Sequence, residues 1–319
     1  MRILISDQNF GDDAHLEREI AKAVGVEVTV ATCRDEDEVA DALERHRPNV
    51  LLVQFAPVGR RALASAHELG GIVRYGVGVD NVDLVVADEL GIAVAGIPDY
   101  CLDEVADHTL ALVLAMERGI VDLARDVEAG GWNFRAAGTV RRLGGRTLGL
   151  LGFGQVARRV SLRAAGFGYR VVAHDPALTA DGIRAGGAEP RSLEALLGDA
   201  DVLSIHAPLT ESTRGLLDAR AFELLREGAI VVNTARGGIV DENALVDAVA
   251  SGRLRGAALD VLEHEPPAAG DALRRTPGIL LTPHAAWYSQ EAIADLRQRA
   301  IETALALAHG ERPAGLVNA

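Results

Sequence analysis

The sequence predicts an α/β protein of two doubly wound, parallel-sheet domains, and three observations carry that expectation. Short apolar runs alternate with helix-spaced amphipathic stretches in two successive series. Hydrophobic residues make up 49% of the 319 residues but aromatics only 4%. The cores must therefore be mostly Leu, Val, Ile and Ala, as in parallel sheets buried on both faces. The 34 glycines suit the many tight strand-to-helix turns of such a fold.

In the first series, the apolar runs at 3–5, 26–30, 50–53, 72–75 and 92–95 read as strands. The stretches 12–23, 36–45, 60–68 and 82–90 between them have helical spacing. A proline-free helical pattern at 103–129 then bridges to the second series. Its strands are expected at 147–153, 169–174, 202–206, 229–234, 256–261 and 279–282, with a last helix at 289–309. That helix follows the second sheet, so it can return to the first domain. The two series share an architecture but no evident sequence repeat.

Composition bounds the partners. A net charge of −14 argues against a direct nucleic-acid partner, whose binding face should be basic. It also means that any anion site must be local. Cys33 and Cys101, the only cysteines, lack metal-ligand spacing and read as small buried residues; no metal site is expected. The first residues are too short an apolar run for a signal peptide, and no stretch approaches the roughly 20 apolar residues of a membrane span. The expectation is a soluble, cytoplasmic chain with no membrane partner.

Gly149-Leu150-Leu151-Gly152-Phe153-Gly154-Gln155-Val156-Ala157 ends a strand and opens a helix. Gly152 and Gly154 let the backbone approach a pyrophosphate, and Ala157 still allows close helix–strand packing. The helix beginning near Gln155 and Val156 offers its positive end to phosphates. Alone, this pattern also marks ordinary tight turns. Here the next strand ends at His174-Asp175-Pro176, and Asp175 stands where an acid binds the ribose hydroxyls of a dinucleotide. With no Arg directly after it, Asp175 favours NAD over NADP. Its other reading is a helix cap or a turn.

Three later strand ends supply a guanidinium, a carboxylate and an imidazole: Arg236, Glu265 and His284. A fixed cation can hold a carboxylate at two points. An imidazole backed by a carboxylate can give or take a proton near neutral pH. Singly, each is as readily a surface Arg, a turn Glu or a structural His. Together, downstream of a dinucleotide turn, they are the equipment for reducing a 2-keto acid.

These motifs give the chain a recognisable likeness. The most specific segments are Val73-Arg74-Tyr75-Gly76-Val77-Gly78-Val79-Asp80-Asn81-Val82-Asp83, the glycine turn, Val232-Asn233-Thr234-Ala235-Arg236-Gly237-Gly238, Gly256-Ala257-Ala258-Leu259-Asp260-Val261 and Thr282-Pro283-His284-Ala285-Ala286-Trp287-Tyr288-Ser289. Over essentially its whole length the chain resembles the D-isomer-specific 2-hydroxyacid dehydrogenases. Within that family Trp287-Tyr288 points to the branch containing the C-terminal-binding-protein corepressors.

The resemblance implies roles. Arg236 would anchor the substrate carboxylate and polarise its keto oxygen, His284 would be the acid in reduction and the base in oxidation, and Glu265 would keep the imidazole protonated as reduction begins. Backbone groups of Val77 and Gly78 would bind the substrate carboxylate, and Arg74 and Trp287 would shape the pocket. Trp287 reads equally as an apolar plug between domains. Thr109, His206, Ala207, Pro208, Thr234, Ala235 and Asp260 match cofactor-contacting positions. The likeness further implies a flavodoxin-like substrate domain (1–98 plus 288–319) and a Rossmann NAD-binding domain (99–287). Between them would lie a ligand cleft, with hinges near 97–99 and 286–289. Dimerisation would run through the cofactor domain, and with so short an N-terminus no added regulatory domain is expected. The implied activity is NAD-dependent reduction of a small 2-keto acid. Its alternatives are an NAD(H)-sensing, corepressor-like binding protein and a dehydrogenase of a phosphorylated acid such as 3-phosphoglycerate.

Overall fold

A computed structural model describes residues 1–318. In chain order its elements are β1 (Arg2–Ile5), α1 (His15–Ala23), β2 (Glu27–Val30), α2 (Glu36–His46), β3 (Val50–Val53), α3 (Arg60–Ala64), β4 (Gly71–Arg74), α4 (Leu84–Glu89) and β5 (Ala93–Ala95). Next come α5 (Leu102–Arg118), α6 (Ile120–Glu128), β6 (Thr147–Leu151), α7 (Gln155–Gly166), β7 (Arg170–His174), α8 (Ala180–Ala185), β8 (Glu189–Pro190) and α9 (Leu193–Asp199). The chain continues through β9 (Val202–Ile205), α10 (Ala219–Leu224), β10 (Ala229–Asn233), α11 (Glu242–Ala250), β11 (Leu254–Leu259), α12 (Ala272–Arg275), β12 (Ile279–Leu281) and α13 (Gln290–Ala308). No helix of the described residues is long and apolar enough to cross a membrane.

Contacts divide the described residues into two units, 1–100 with 289–318 and 101–288. The first holds a five-stranded parallel sheet in the order β2-β1-β3-β4-β5. The order reverses between β1 and β3, so the loops after Ile5 and Val53 flank the point where open sheets of this kind bind ligands. Leu4, Leu51, Val53, Ile72 and Val94 pack under Val39, Leu43 and Leu63 in one buried cluster. On the other face α13 packs against β3, β4 and α1, so the C-terminal helix does return to the first unit.

The second unit holds a seven-stranded parallel sheet, β12-β11-β10-β9-β6-β7-β8. Its strands β6, β9 and β10 are fully buried, with one aliphatic cluster on each face of the sheet. The switch lies between β6 and β9, beside the glycine turn. Several helices begin on side-chain caps, among them Asp241, which accepts the Ala244 N–H, and Ser289, which accepts the Ala292 N–H.

The long helix expected over 103–129 is two helices. Gly119 stands between α5 and α6 with φ +61°, where a side chain is strained, and a Cβ there would lie 2.8 Å from Ala137 Cα. Its missing side chain lets the chain reverse handedness and pack closely. The helix expected over 60–68 stops at Ala64. The two-residue β8 adds an edge strand that is too short for periodicity to reveal.

Candidate active site

Arg236, Glu265 and His284 lie in the second unit, in the loops after β10, β11 and β12. His284 Nδ1 is 2.8 Å from Glu265 Oε2, and Glu265 Oε1 accepts the Leu262 N–H at 2.9 Å. A carboxylate only accepts, so the imidazole carries a proton on Nδ1 and turns Nε2 to chemistry. Burial works to raise the Glu265 carboxyl. The hydrogen bond and charge of His284, the Leu262 N–H and the charge of Arg236 outweigh it and hold Glu265 below the usual carboxylate range. Arg236 is partly buried and donates to its neighbour's Ala235 carbonyl at 2.7 Å. Asn233, buried at the end of β10, ties its loop: its amide donates to Arg236 O at 2.9 Å and accepts the Ala235 N–H at 3.0 Å.

His284 has φ +51°, a conformation that costs a residue with a β-carbon about 1–2 kcal/mol. Asp260 supplies the compensation. Its carboxylate accepts the Thr282 hydroxyl at 2.6 Å and the Ala285 and Ala286 N–H groups at 2.9 Å each, and its carbonyl accepts the His284 N–H at 2.8 Å. Asp260, matched by resemblance to a cofactor position, is also what holds the His284 loop. Trp287 follows, half-buried, with its ring edge-on to Tyr288 at 5.9 Å.

The glycine turn has the shape a dinucleotide requires. Gly152 adopts φ +87°, and a Cβ on it would lie 2.6 Å from Ala207 N. Gly154 differs. Its φ is −74°, and a Cβ there would meet nothing within 4 Å. The space above Gly154 is open at the head of α7, where no side chain caps the helix and Gln155 and Val156 form the first turn. Asp175 accepts the Phe153 N–H at 2.8 Å and the Ala177 N–H at 2.9 Å, so it braces the turn as well as standing at the end of β7. An open cradle, an uncapped helix end and a carboxylate at the next strand end fit a pyrophosphate and a ribose diol.

The remaining second-unit candidates surround this turn and the loop of Arg236. Ala207 is buried against Gly152, and Pro208 O accepts the Thr213 hydroxyl at 2.7 Å. Burial pushes the His206 imidazole down to about 4, and its Nε2 meets Ser204 Oγ at 2.9 Å. Thr109 is fully buried on α5 and joined through its hydroxyl to Thr234 at 2.8 Å. Sequence reasoning missed His108, whose Nε2 is 3.1 Å from Thr282 Oγ1 and 3.6 Å from Asp260 Oδ1. Its position directly before Thr109 was the available signal.

Arg74, Val77 and Gly78 belong to the first unit. Arg74 ends β4 and donates from Nε to Gln54 O at 3.0 Å, with its guanidinium over Gly76, where any Cβ would collide with it. The loop of Val77 and Gly78 is pinned by Ile97 N–H donating to Gly76 O at 2.8 Å. Asp7 accepts the N–H groups of Gln54, Phe55 and Ala56, which fixes the neighbouring loop after β3.

Comparison with known proteins decides the family. The NAD-binding domain of the D-isomer specific 2-hydroxyacid dehydrogenases matches residues 110–286. The chain belongs to this family. It is 38% identical over 263 residues to D-3-phosphoglycerate dehydrogenase 3, chloroplastic, of Arabidopsis thaliana, covering 82% of this chain and 45% of that protein. It thus spans about half the length of that curated relative. A Thermus thermophilus protein of known structure matches with TM-score 0.88 and 34% identity over 99% of this chain and 100% of that one. D-lactate dehydrogenase from Aquifex aeolicus, complexed with NAD and lactic acid, matches with TM-score 0.88 and 25% identity over 100% and 99%. Residues Thr109 and Trp287 lie just outside the matched segment, at its two ends.

Proposed function

We propose that this protein is an NAD-dependent dehydrogenase of a small D-2-hydroxy acid, acting reversibly between NADH and the 2-keto acid. The His284–Glu265 pair at 2.8 Å, with Arg236 on the loop after β10 of the same sheet, is the observation that carries the reading. When bound, the nicotinamide cofactor supplies the hydride for the keto carbon. Gly152, Gly154, the first turn of α7 and Asp175 would hold it. Arg236 receives the substrate carboxylate in its planar fork and draws charge toward the keto oxygen. His284 delivers a proton to that oxygen from Nε2, while Glu265 stabilises the imidazolium through Nδ1. In oxidation the same nitrogen takes the hydroxyl proton. Arg74, Val77, Gly78 and Trp287 are the substrate-side candidates, and the protein is read as a cytoplasmic homodimer.

The identity with a phosphoglycerate dehydrogenase favours a second reading, a phosphorylated hydroxy acid as substrate. Arg74, which donates to the Gln54 carbonyl of the loop after β3, is the cation that such a substrate would use. The Trp287-Tyr288 pair favours a third, an NAD(H)-sensing, corepressor-like binding protein. One experiment separates them: a panel of 2-keto acids, with and without a phosphate group, followed by loss of NADH absorbance. The reading expects turnover of at least one non-phosphorylated acid, abolished in His284→Ala while NADH still binds. Turnover confined to phosphorylated acids supports the second reading. NADH binding without turnover of any acid supports the third.

A further inference from the structure

Helix α5 reaches the catalytic loops through two consecutive residues. Thr109 donates its hydroxyl proton to Val105 O at 2.7 Å, so it accepts from the Thr234 hydroxyl at 2.8 Å, two residues before Arg236. His108 meets Thr282 Oγ1 at 3.1 Å, two residues before His284. One helical turn is therefore fastened to both loops that carry the reacting groups.

We propose that His108 is a positioning residue, acting through Thr282 and Asp260 to fix the loop in which His284 sits. The Thr282 hydroxyl has a single proton, and the 2.6 Å contact gives it to the Asp260 carboxylate. Its lone pair then faces His108, which must donate from Nε2. The same nitrogen lies 3.6 Å from Asp260 Oδ1, so its N–H also faces the carboxylate. No other side chain among the described residues hydrogen-bonds to Thr282 Oγ1. Asp260 is only 2% exposed, and an arrangement that left it partly unsatisfied would be costly. His108 thus selects the hydroxyl orientation that completes the set of bonds holding residues 282–286. That set keeps His284 in its left-handed conformation, which persists only where its surroundings over-determine it.

The kinetic part of the test rests on the dehydrogenase reading, and the spectroscopic part does not. Full-length His108→Ala and His108→Gln are compared with the parent. In histidine-¹³C-labelled protein, the His284 ring carbon resonance, assigned by its loss in His284→Ala, is followed without cofactor. In parallel, kcat and KM are measured on an active keto acid, and NADH affinity by fluorescence. His108→Ala should shift the His284 resonance and lower kcat about tenfold, with keto-acid KM and NADH affinity within about twofold. His108→Gln, whose amide N–H can replace Nε2–H, should restore most of both. His108→Leu replaces the alanine variant if that one does not fold. An unmoved His284 resonance with undiminished kcat overturns the proposal, and so does a glutamine variant no better than alanine. If the parent reduces no acid, the dehydrogenase reading fails, and the resonance alone decides the role of His108.

Discussion

Glu265 is about one-third exposed on its side chain, yet its carboxyl lies below the ordinary value of 4.5. The folded pKa is depressed, so its contribution to stability is fully present above 4.5 and is lost as pH falls through the lower folded value. The carboxylate is therefore charged across the neutral range. Glu265→Gln keeps the shape and removes the charge that stabilises an imidazolium. We expect kcat for keto-acid reduction to fall on the order of a hundredfold while NADH affinity is retained, checked by steady-state kinetics and fluorescence titration. His206 titrates in the other part of the scale. Burial alone drives it to about 4 from 6.5, so it is neutral in the folded protein at pH 7. Between those values the unfolded chain binds a proton that the folded one refuses, and stability declines as pH falls. His206→Asn should flatten that decline, measured as urea midpoints at pH 7 and pH 5. Glu265 was legible in the sequence as part of a strand-end motif, and His206 only through the family resemblance. The groups bonded to them were not, because the Leu262 N–H and Ser204 Oγ become partners only through the folded backbone.

At the scale of elements, the strands and the helices that start on caps follow directly from aliphatic runs and Asp or Ser at the helix starts. The break at Gly119 did not show, since a single glycine in a helical pattern says nothing of its φ until Ala137 is packed against it. The same distinction separates the two glycines of the β6–α7 turn, which look alike in sequence. Gly152→Ala meets backbone at Ala207 and a positive φ, so it should lower stability by about 1–2 kcal/mol or more as well as abolish NADH binding. Gly154→Ala meets open space at an ordinary φ. It should leave the thermal midpoint within about 2 °C of the parent and still weaken NADH binding, because its methyl group enters the phosphate cradle. Differential scanning calorimetry and fluorescence titration on the two variants check this. A Gly154→Ala protein with undiminished NADH affinity would remove the turn from the cofactor site.

For the whole molecule, the sequence raises the return of the last helix to the first unit but does not show what fastens it there. Its final helix follows the second sheet but belongs to the first unit, and one side chain fastens it there. Arg297 on α13 makes paired hydrogen bonds to Asp12 at 2.9 and 3.0 Å and to Glu17 at 2.9 and 2.6 Å. Glu17 is 1% exposed and also accepts the Tyr75 hydroxyl at 3.1 Å, while the guanidinium lies 5.4 Å from the Phe10 ring centre. No local pattern announced this cluster, because Asp12 alone lies 285 residues from Arg297. Replacing Arg297 by Met keeps the aliphatic packing but leaves a buried carboxylate with a single hydroxyl donor. Removing one partner of a buried pair costs about 3–5 kcal/mol, far more than an exposed ion pair such as Arg60–Glu89. The loss should be local to the first unit. Hydrogen exchange followed by mass spectrometry should find amides in 1–100 and 289–318 deprotected, while those of β6, β9 and β10 keep parental protection. Equal deprotection of both units would instead mean that the chain unfolds as one cooperative body and that the Arg297 cluster stabilises all of it.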